Sequence, residues 1–380
     1  LTLFEKKGGL PLEKPDFNAH RLAYCISSHG FGHAARAAAV MAALKRQNSR
    51  VRFEIFTQTP AWFFNDSLVG DFGYHDLQSD VGLVQLGPTR EDLPATLHAL
   101  DAFIASMPSQ AHALARDIRR LGCSMILCDI SPLGIAAASA ARLPSVLIEN
   151  FTWDWIYDGY AAAEARLKPV AAYFEGLFVQ SSFRIQTQPV CRPQSADLTT
   201  PPVSRRPRQK AAEVRHQLGI GDHTPLLLIT MGGIPMRLEF LDAVHRLKDI
   251  VFLVCGAHSP VQMRRNLILL PEHSEFFHPD LIQAADAVVG KVGYSTLAEV
   301  YQAGIPFGYI PRPAFRESDT LVAFIENHMS GLPIAQAEFY NGTWIEKVPR
   351  LLRLPRFQHS GQNGADQIAS FITGLIEPMT

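Results

Sequence analysis

From Arg21 onward, short apolar runs alternate with longer helical patterns, and after one break the alternation starts again. That order marks βα units building a mostly parallel sheet. The first series reads Arg21 to Ser28 (strand), His33 to Gln47 (alanine-rich helix), Arg52 to Thr57 (strand), Leu93 to Leu121 (helix), Ser124 to Ile130 (strand), Leu133 to Arg142 (helix), Ser145 to Asn150 (strand) and Leu177 to Gln180 (short strand). Between Pro189 and Lys210 the composition turns to proline, arginine, serine and threonine without a period, which reads as a linker. The second series reads Leu226 to Met231 (strand), Met236 to Leu247 (helix), Val251 to Cys255 and Leu267 to Leu270 (strands), Asp280 to Ala285 (helix), Ala287 to Gly290 (strand), Thr296 to Ala303 (helix) and Phe307 to Ile310 (strand). The expectation is two doubly wound α/β domains over 18–190 and 211–360, a linker over 191–210, and a helix over 361–380 packing back on the first domain. With 380 residues, 47% of them hydrophobic, the chain supports two full cores.

A formal net charge of −1 leaves no electrostatic footprint for nucleic acid. The run Arg205, Arg206, Arg208, Lys210 reads as a solvated linker. Five cysteines (Cys25, Cys123, Cys128, Cys191, Cys255) are an odd number without metal-ligand spacing, and reduced, mostly buried thiols in a cytoplasm fit them best. No apolar run approaches the ~18 residues of a spanning helix, and Leu1 to Phe17 lacks the apolar stretch of a signal peptide. A cytoplasmic protein without a transmembrane segment is expected, with peripheral membrane contact left open.

Two glycine turns stand where strands feed helices: Ser27-Ser28-His29-Gly30-Phe31-Gly32-His33, and Gly290-Lys291-Val292-Gly293-Tyr294-Ser295-Thr296. Such turns bare backbone N–H groups toward an anion. Met231-Gly232-Gly233-Ile234-Pro235 has the same form. None is a P-loop or a full GxGxxG fingerprint, and each also reads as plain strand-to-helix packing. His33, at a helix start where the dipole disfavours a charged imidazole, reads equally as a base and as a structural histidine. Glu299 fits a capping box with Thr296, or a carboxylate that accepts ribose hydroxyls. Asp129 and Asn150 close strands and reach a cleft or merely form turns. The aromatics from Phe151 to Tyr157, and Trp62, Phe63 and Phe64, fit either a binding surface or a core.

Taken in order, His29-Gly30-Phe31-Gly32-His33 with Arg36, Cys128-Asp129, Asn150-Phe151-Thr152-Trp153-Asp154, Gly232-Gly233, Val254-Cys255-Gly256-Ala257 and the block from Gly290 to Pro306 resemble the glycosyltransferase-like domain of plant-type L-arabinokinases. The last block is similar, more distantly, to the donor site of the lipid II N-acetylglucosaminyltransferase family. The resemblance runs from about Leu22 to Ile376 and implies a GT-B fold, with a nucleotide-diphosphate sugar between two Rossmann-like domains. It implies that Gly232 and Gly233 approach the diphosphate, that Phe277 and His278 lie near the base, and that Gly293, Tyr294, Ser295 and Thr296 begin the phosphate-facing helix. Glu299 would take the ribose and Lys291 the leaving group's charge. Glu317 and Asp319 stand where the transferase family reads sugar hydroxyls, but its paired glutamines are absent. His29, Gly30, Gly32, Asn150, Trp153 and Asp154 would line the acceptor side. The kinase half of the arabinokinases has no counterpart, so sugar phosphorylation is not implied.

The expected chemistry is inverting glycosyl transfer to a small-molecule or lipid acceptor, with His33 or Asp129 as the general base and the helix near Ser295 stabilising the departing diphosphate; the resemblance implies uridine as the base, while the residues leave guanine and thymine open. No Asp-x-Asp motif stands at a strand end, and neither a metal nor a bound cofactor is expected. A nucleotide-sugar epimerase or hydrolase, and a non-catalytic sugar-nucleotide binder, are the rival readings.

Overall fold

The computed structural model of the chain describes residues 20–87, 90–232, 241–257, 262–358 and 361–377. The first series of units supplies strands β1 (His20–Ile26), β2 (Val51–Thr57), β3 (Gly73–Asp76), β4 (Gln85–Gly87), β5 (Arg90–Glu91), β6 (Met125–Asp129), β7 (Ser145–Glu149), β8 (Phe183–Thr187) and β9 (Leu198–Thr200). Its helices are α1 (Phe31–Gln47), α2 (Ala61–Ser67), α3 (Leu93–Arg120), α4 (Pro132–Ala141), α5 (Trp153–Gly159) and α6 (Leu167–Phe178). Seven strands form one parallel sheet in the order β3-β2-β1-β6-β7-β8-β9, while β4 and β5 pair separately.

The second series supplies β10 (Leu226–Thr230), β11 (Val251–Ala257), β12 (Gln262–Arg264), β13 (Leu267–Pro271), β14 (Ala287–Lys291), β15 (Phe307–Ile310) and β16 (Gly331–Pro333). Its sheet runs β12-β13-β11-β10-β14-β15-β16, parallel except where β12 meets β13. The accompanying helices are α7 (Ala211–Gln217), α8 (Leu241–Val244), α9 (His278–Ala284), α10 (Tyr294–Ala303), α11 (Glu317–His328), α12 (Gln336–Asn341) and α13 (Val348–Leu351), followed by α14 (Gly364–Ile376).

The strands read as unbroken apolar runs because both faces are covered. Leu22, Tyr24 and Ile26 of β1 enter a core with α1 and α14, while Ala23 and Cys25 enter another with α3 and α4. Leu226 and Leu228 of β10 likewise face away from Leu227 and Ile229. The alanines of α1 suit a helix enclosed on several sides: Ala34, Ala35, Ala37, Ala38, Ala39 and Ala43 are all buried. They combine high helix propensity with little bulk.

Two sequence expectations need correction. Leu177 to Gln180 is no strand: Leu177 and Phe178 end α6, whose buried Leu167, Val170, Ala171, Phe174 and Phe178 keep helical spacing, and the strand follows at β8. A short apolar run carries too few residues to tell the two periods apart. The segment 191–210 is also not wholly linker, because β9 lies within it and pairs with β8. The expected helix from Met236 to Leu247 falls largely outside the described residues, which include only its Leu241–Val244 part, and Gly233 lies outside them too.

In each sheet a central strand is flanked by neighbours whose connections run in opposite directions, β1 between β2 and β6, and β10 between β11 and β14. Crevices at strand carboxyl ends open at such places. The two crevices face each other, so that a Cβ added to Gly32 would lie 3.7 Å from Ser295 Oγ. Helix α14 leaves the second domain and packs on the first, where Ile368, Ala369 and Ile372 join the core of β1 and α1. Gln47 Nε2 donates to the Asp366 carbonyl at 3.0 Å, and Arg46 pairs with the Asp366 carboxylate at 2.8 Å.

Candidate active site

The first half of the site grows from β1. Gly30 stands between strand and helix at φ 75°, a conformation open to glycine and strained for other residues, and α1 starts there without a side-chain cap. His33 is thereby set on the first turn of α1, beside Asp129 at the end of β6, the neighbour of β1. His33 Nδ1 and Asp129 Oδ1 are 2.8 Å apart. The carboxylate assigns the proton to Nδ1 and leaves Nε2 as an acceptor. One turn on, Arg36 donates from Nε to Asp129 Oδ2 and from Nη2 to Oδ1, both at 2.7 Å.

Burial alone would raise the Asp129 carboxyl, but the charge and hydrogen bonds of Arg36, with His33, hold it below the usual carboxylate range. Asp129 is fully buried with both oxygens engaged. It therefore orients His33 and is out of reach of an acceptor, which removes it as the alternative general base.

The network crosses the domain boundary. Arg36 Nη1 donates to Asn150 Oδ1 at 2.6 Å, and Asn150 Nδ2 donates to Glu317 Oε1 of α11 at 2.8 Å. Arg36 also lies over the ring of Tyr294, 4.9 Å from its centroid, and the Tyr294 hydroxyl accepts from the Val203 N–H at 3.1 Å. Tyr294 thus pins α10 against the first domain.

Two of the expected cleft residues stand behind the surface. Trp153 is fully buried, donates from Nε1 to Asp80 Oδ2 at 2.8 Å and meets the His29 ring edge-on at 5.2 Å. Asp154 is buried and paired with Arg192 at 2.9 Å. His29 itself reaches the cleft; the loss of water around its ring, with His33, Arg312 and Lys291 nearby, pushes its pKa down to about 3, so it is neutral.

The second half contributes a cavity of about 500 Å³ lined by Thr230, Gly232, Phe277, His278, Ser295, Thr296 and Glu299, with Arg205 and Arg208 from the interdomain segment. Glu299 accepts from Arg205 Nε at 2.9 Å and contacts His278 Nδ1 at 3.0 Å, while His278 Nε2 lies 3.2 Å from Thr230 Oγ1. Helix α10 starts at Gly293 with no side-chain cap bond, so the capping-box reading of Glu299 is set aside. Burial would raise its carboxyl, but Arg205, followed by His278, holds it below the usual range.

The basic run needs correction too: Arg205 and Arg208 lie over Phe277, 5.1 and 4.3 Å from its centroid, as part of the site. At the mouth, Trp62 stacks on His273 with centroids 4.4 Å apart; Phe63, mostly buried, still lines the cavity beneath Arg205, 4.9 Å from its ring centroid, whereas Phe64 is buried in the core.

A smaller recess of about 80 Å³ continues inward between the domains. Gly30, Gly32, His33 and Asn150 line one side, and Lys291, Gly293, Tyr294, Arg312 and Glu317 the other. Ser295 and Thr296 border both cavities. Loss of water around the Lys291 amine, with Arg312 beside it, pushes its pKa down to about 7. Asp319 is exposed on α11 and lines neither cavity. Arg312 was missed by the sequence reading, although its place two residues beyond β15 is of the kind that singled out Asp129 and Asn150. Among the described residues no three His, Cys, Asp or Glu side chains gather in a way that would hold a metal ion, and no helix is long and apolar enough to cross a membrane.

Two facing Rossmann-like domains with a cleft at their strand ends are the GT-B fold of glycosyltransferases, and the chain has that fold. Its structure matches that of Arabidopsis thaliana UGT89C1 complexed with UDP at a TM-score of 0.62 and 12% identity, over 94% of this chain and 99% of that one. In sequence it is similar to L-arabinokinase of Arabidopsis thaliana, 26% identical over 358 residues, 92% of this chain and 34% of that protein. It is also similar to the UDP-N-acetylglucosamine--N-acetylmuramyl-(pentapeptide) pyrophosphoryl-undecaprenol N-acetylglucosamine transferase of Corynebacterium jeikeium, 31% identical over 158 residues, 37% of this chain and 42% of that protein. The aligned region is thus well under half the length of either curated relative. No protein-family model matches the chain.

Proposed function

We propose that the protein transfers a sugar from a nucleoside diphosphate sugar, with uridine as the base, to an acceptor hydroxyl, with inversion and without a metal. The observation that carries this reading is the His33–Asp129 pair, 2.8 Å apart, standing across the inner recess from Lys291 and the start of α10. The outer cavity takes the nucleoside, with Glu299 toward the ribose and Phe277 and His278 toward the base. The diphosphate lies at Gly293 to Thr296, where backbone N–H groups and the helix dipole offset its charge together with Lys291. His33 Nε2 accepts the acceptor's proton as its oxygen bonds to the anomeric carbon, and the bond from that carbon to the diphosphate oxygen breaks on the opposite face. The similarity in fold to UGT89C1, which was solved in complex with UDP, supports uridine as the base.

Arg36 favours a second reading. By neutralising Asp129 it weakens the support an imidazolium would receive, which suits a protein that binds the donor without turning it over.

One experiment separates the two. Thermal stabilisation by UDP and UDP-sugars, lost in Glu299→Ala, would establish the donor site, and turnover with an acceptor panel would then be compared between the native chain and His33→Ala. Transfer requires turnover that falls steeply in His33→Ala with donor binding kept. Donor binding without turnover on any acceptor leaves the binding-only reading, and absence of donor binding removes both.

A further inference from the structure

We infer that the sugar of the donor carries a carboxylate, a hexuronate, and that Arg312 is the residue that holds it; this rests on the donor-site reading above. Arg312 is 7% exposed and lines the inner recess, yet its Nε and Nη2 have no hydrogen-bond partner among the described residues. A buried guanidinium with unused donors is costly unless a ligand completes it. Its position is fixed: the Arg312 N–H donates to Ser318 Oγ at 2.9 Å, and the guanidinium lies over the Phe315 ring, 4.4 Å from its centroid. The charged and titratable groups nearest to it are Glu317, Glu91, Tyr160, Lys291 and the neutral His29. Glu317 Oε1 accepts from Asn150, which leaves its second oxygen open to the recess; the Tyr160 hydroxyl donates to the Ala314 carbonyl at 2.7 Å, Lys291 repels the guanidinium, and Glu91, like Arg312, keeps a buried polar atom, Oε1, without a hydrogen-bond partner among the described residues.

The lateral order of the strands says which part of a ligand Arg312 meets. Across the second sheet the order is β13-β11-β10-β14-β15. The outer cavity reaches Thr230, Cys255 and the segment from Glu272 to His278, at the ends of β10, β11 and β13. The helix that takes the diphosphate follows β14, and Lys291 packs close to Gly232, where an added Cβ would be 3.2 Å from its Cε. Arg312 lies beyond β15, one strand of ~4.8 Å further along. Base, diphosphate and sugar laid along that line put the sugar at Arg312 and Glu317. Glu317 accepts sugar hydroxyls there, while Arg312 offers the paired donors that fit a carboxylate.

The test measures affinities of the full chain for UDP, UDP-glucose, UDP-galactose, UDP-glucuronate and UDP-galacturonate. One of the uronates is expected to bind about tenfold or more tighter than its neutral hexose counterpart, the size of a charge-assisted contact. In Arg312→Met that preference, read as the ratio of uronate to neutral-hexose affinity within the variant, is expected to vanish. A native chain that binds UDP but prefers neither uronate overturns the inference and leaves the donor-site reading standing. A preference that survives in Arg312→Met also overturns it, and no binding of UDP at all overturns both. The comparison within the native chain stands even where a variant does not fold.

Discussion

Gly32 and Ser295 face each other so closely that a methyl group on Gly32 would touch the serine hydroxyl at 3.7 Å. The glycine turn of one domain thus meets the helix start of the other with no side chain between them, and a side chain added there would crowd a diphosphate held at Ser295. Gly32→Ala adds only an ordinary contact, and alanine is favoured over glycine in a helix by about 1 kcal/mol. The variant is therefore expected to melt no earlier than the native protein while binding UDP more weakly. Unchanged affinity by calorimetry would count against the placement of the diphosphate.

Arg36 and Asp129 form a buried pair, and removing one partner leaves an uncompensated charge. Arg36→Met is expected to destabilise the protein by about 3–5 kcal/mol at neutral pH. The sign with pH follows from the lowered Asp129 carboxyl: its contribution is full above the unfolded pKa of about 3.9 and is lost as pH falls through the lower folded value. Urea unfolding between pH 3 and pH 7, values spanning that range by about 4 units, should show the gap between native chain and variant widening as pH rises.

Lys291 works in the other direction. Its folded pKa of about 7 lies below the unfolded value, so the unfolded chain holds more protons from about pH 7 to about pH 10 and stability rises with pH across that window. Lys291→Met should flatten the slope and be more stable than the native chain below pH 7 in the absence of ligand, yet bind UDP less well. Equal pH slopes in the two proteins would contradict the assignment.

What the sequence disclosed and withheld follows physical lines. The runs of β1 and β10 were readable because two-sided burial leaves an apolar signature on consecutive residues. The places of His33, Asp129 and Asn150 at a helix start and at strand ends were readable, whereas the choice between a cleft and a plain structural role was not, because it depends on neighbours far away in sequence. Arg205 was misread because its partner Glu299 is 94 residues away and no local period encodes that pairing. Trp153 and Phe64 were undecided for a related reason: an aromatic side chain fits a cleft or a core equally well until its neighbours are known. Arg312 follows Pro311 and precedes Pro313 in a stretch without periodicity, so its place just beyond a strand end was the one local signal, and its burial beside the recess is what gives that place meaning.

Glycines supply a check on the packing alone. Gly304 ends α10 at φ 64°, and a Cβ there would lie 2.2 Å from the Phe357 carbonyl oxygen. Gly304→Ala is expected to cost at least about 2 kcal/mol, from the left-handed backbone and the displaced chain together. Gly374 in α14 has nothing within 4 Å of an added Cβ, so Gly374→Ala should gain up to about 1 kcal/mol. Thermal melts of the two variants should shift in opposite directions.

Because α14 belongs to the core of β1 and α1, the first domain is completed by residues translated after the whole of the second. A ribosome releases the sheet of the first domain early, but its Ile368, Ala369 and Ile372 contacts arrive only at the end of the described chain. During synthesis the apolar faces of α1 and β1 must wait without that cover, and the second domain has the opportunity to fold before the first is finished.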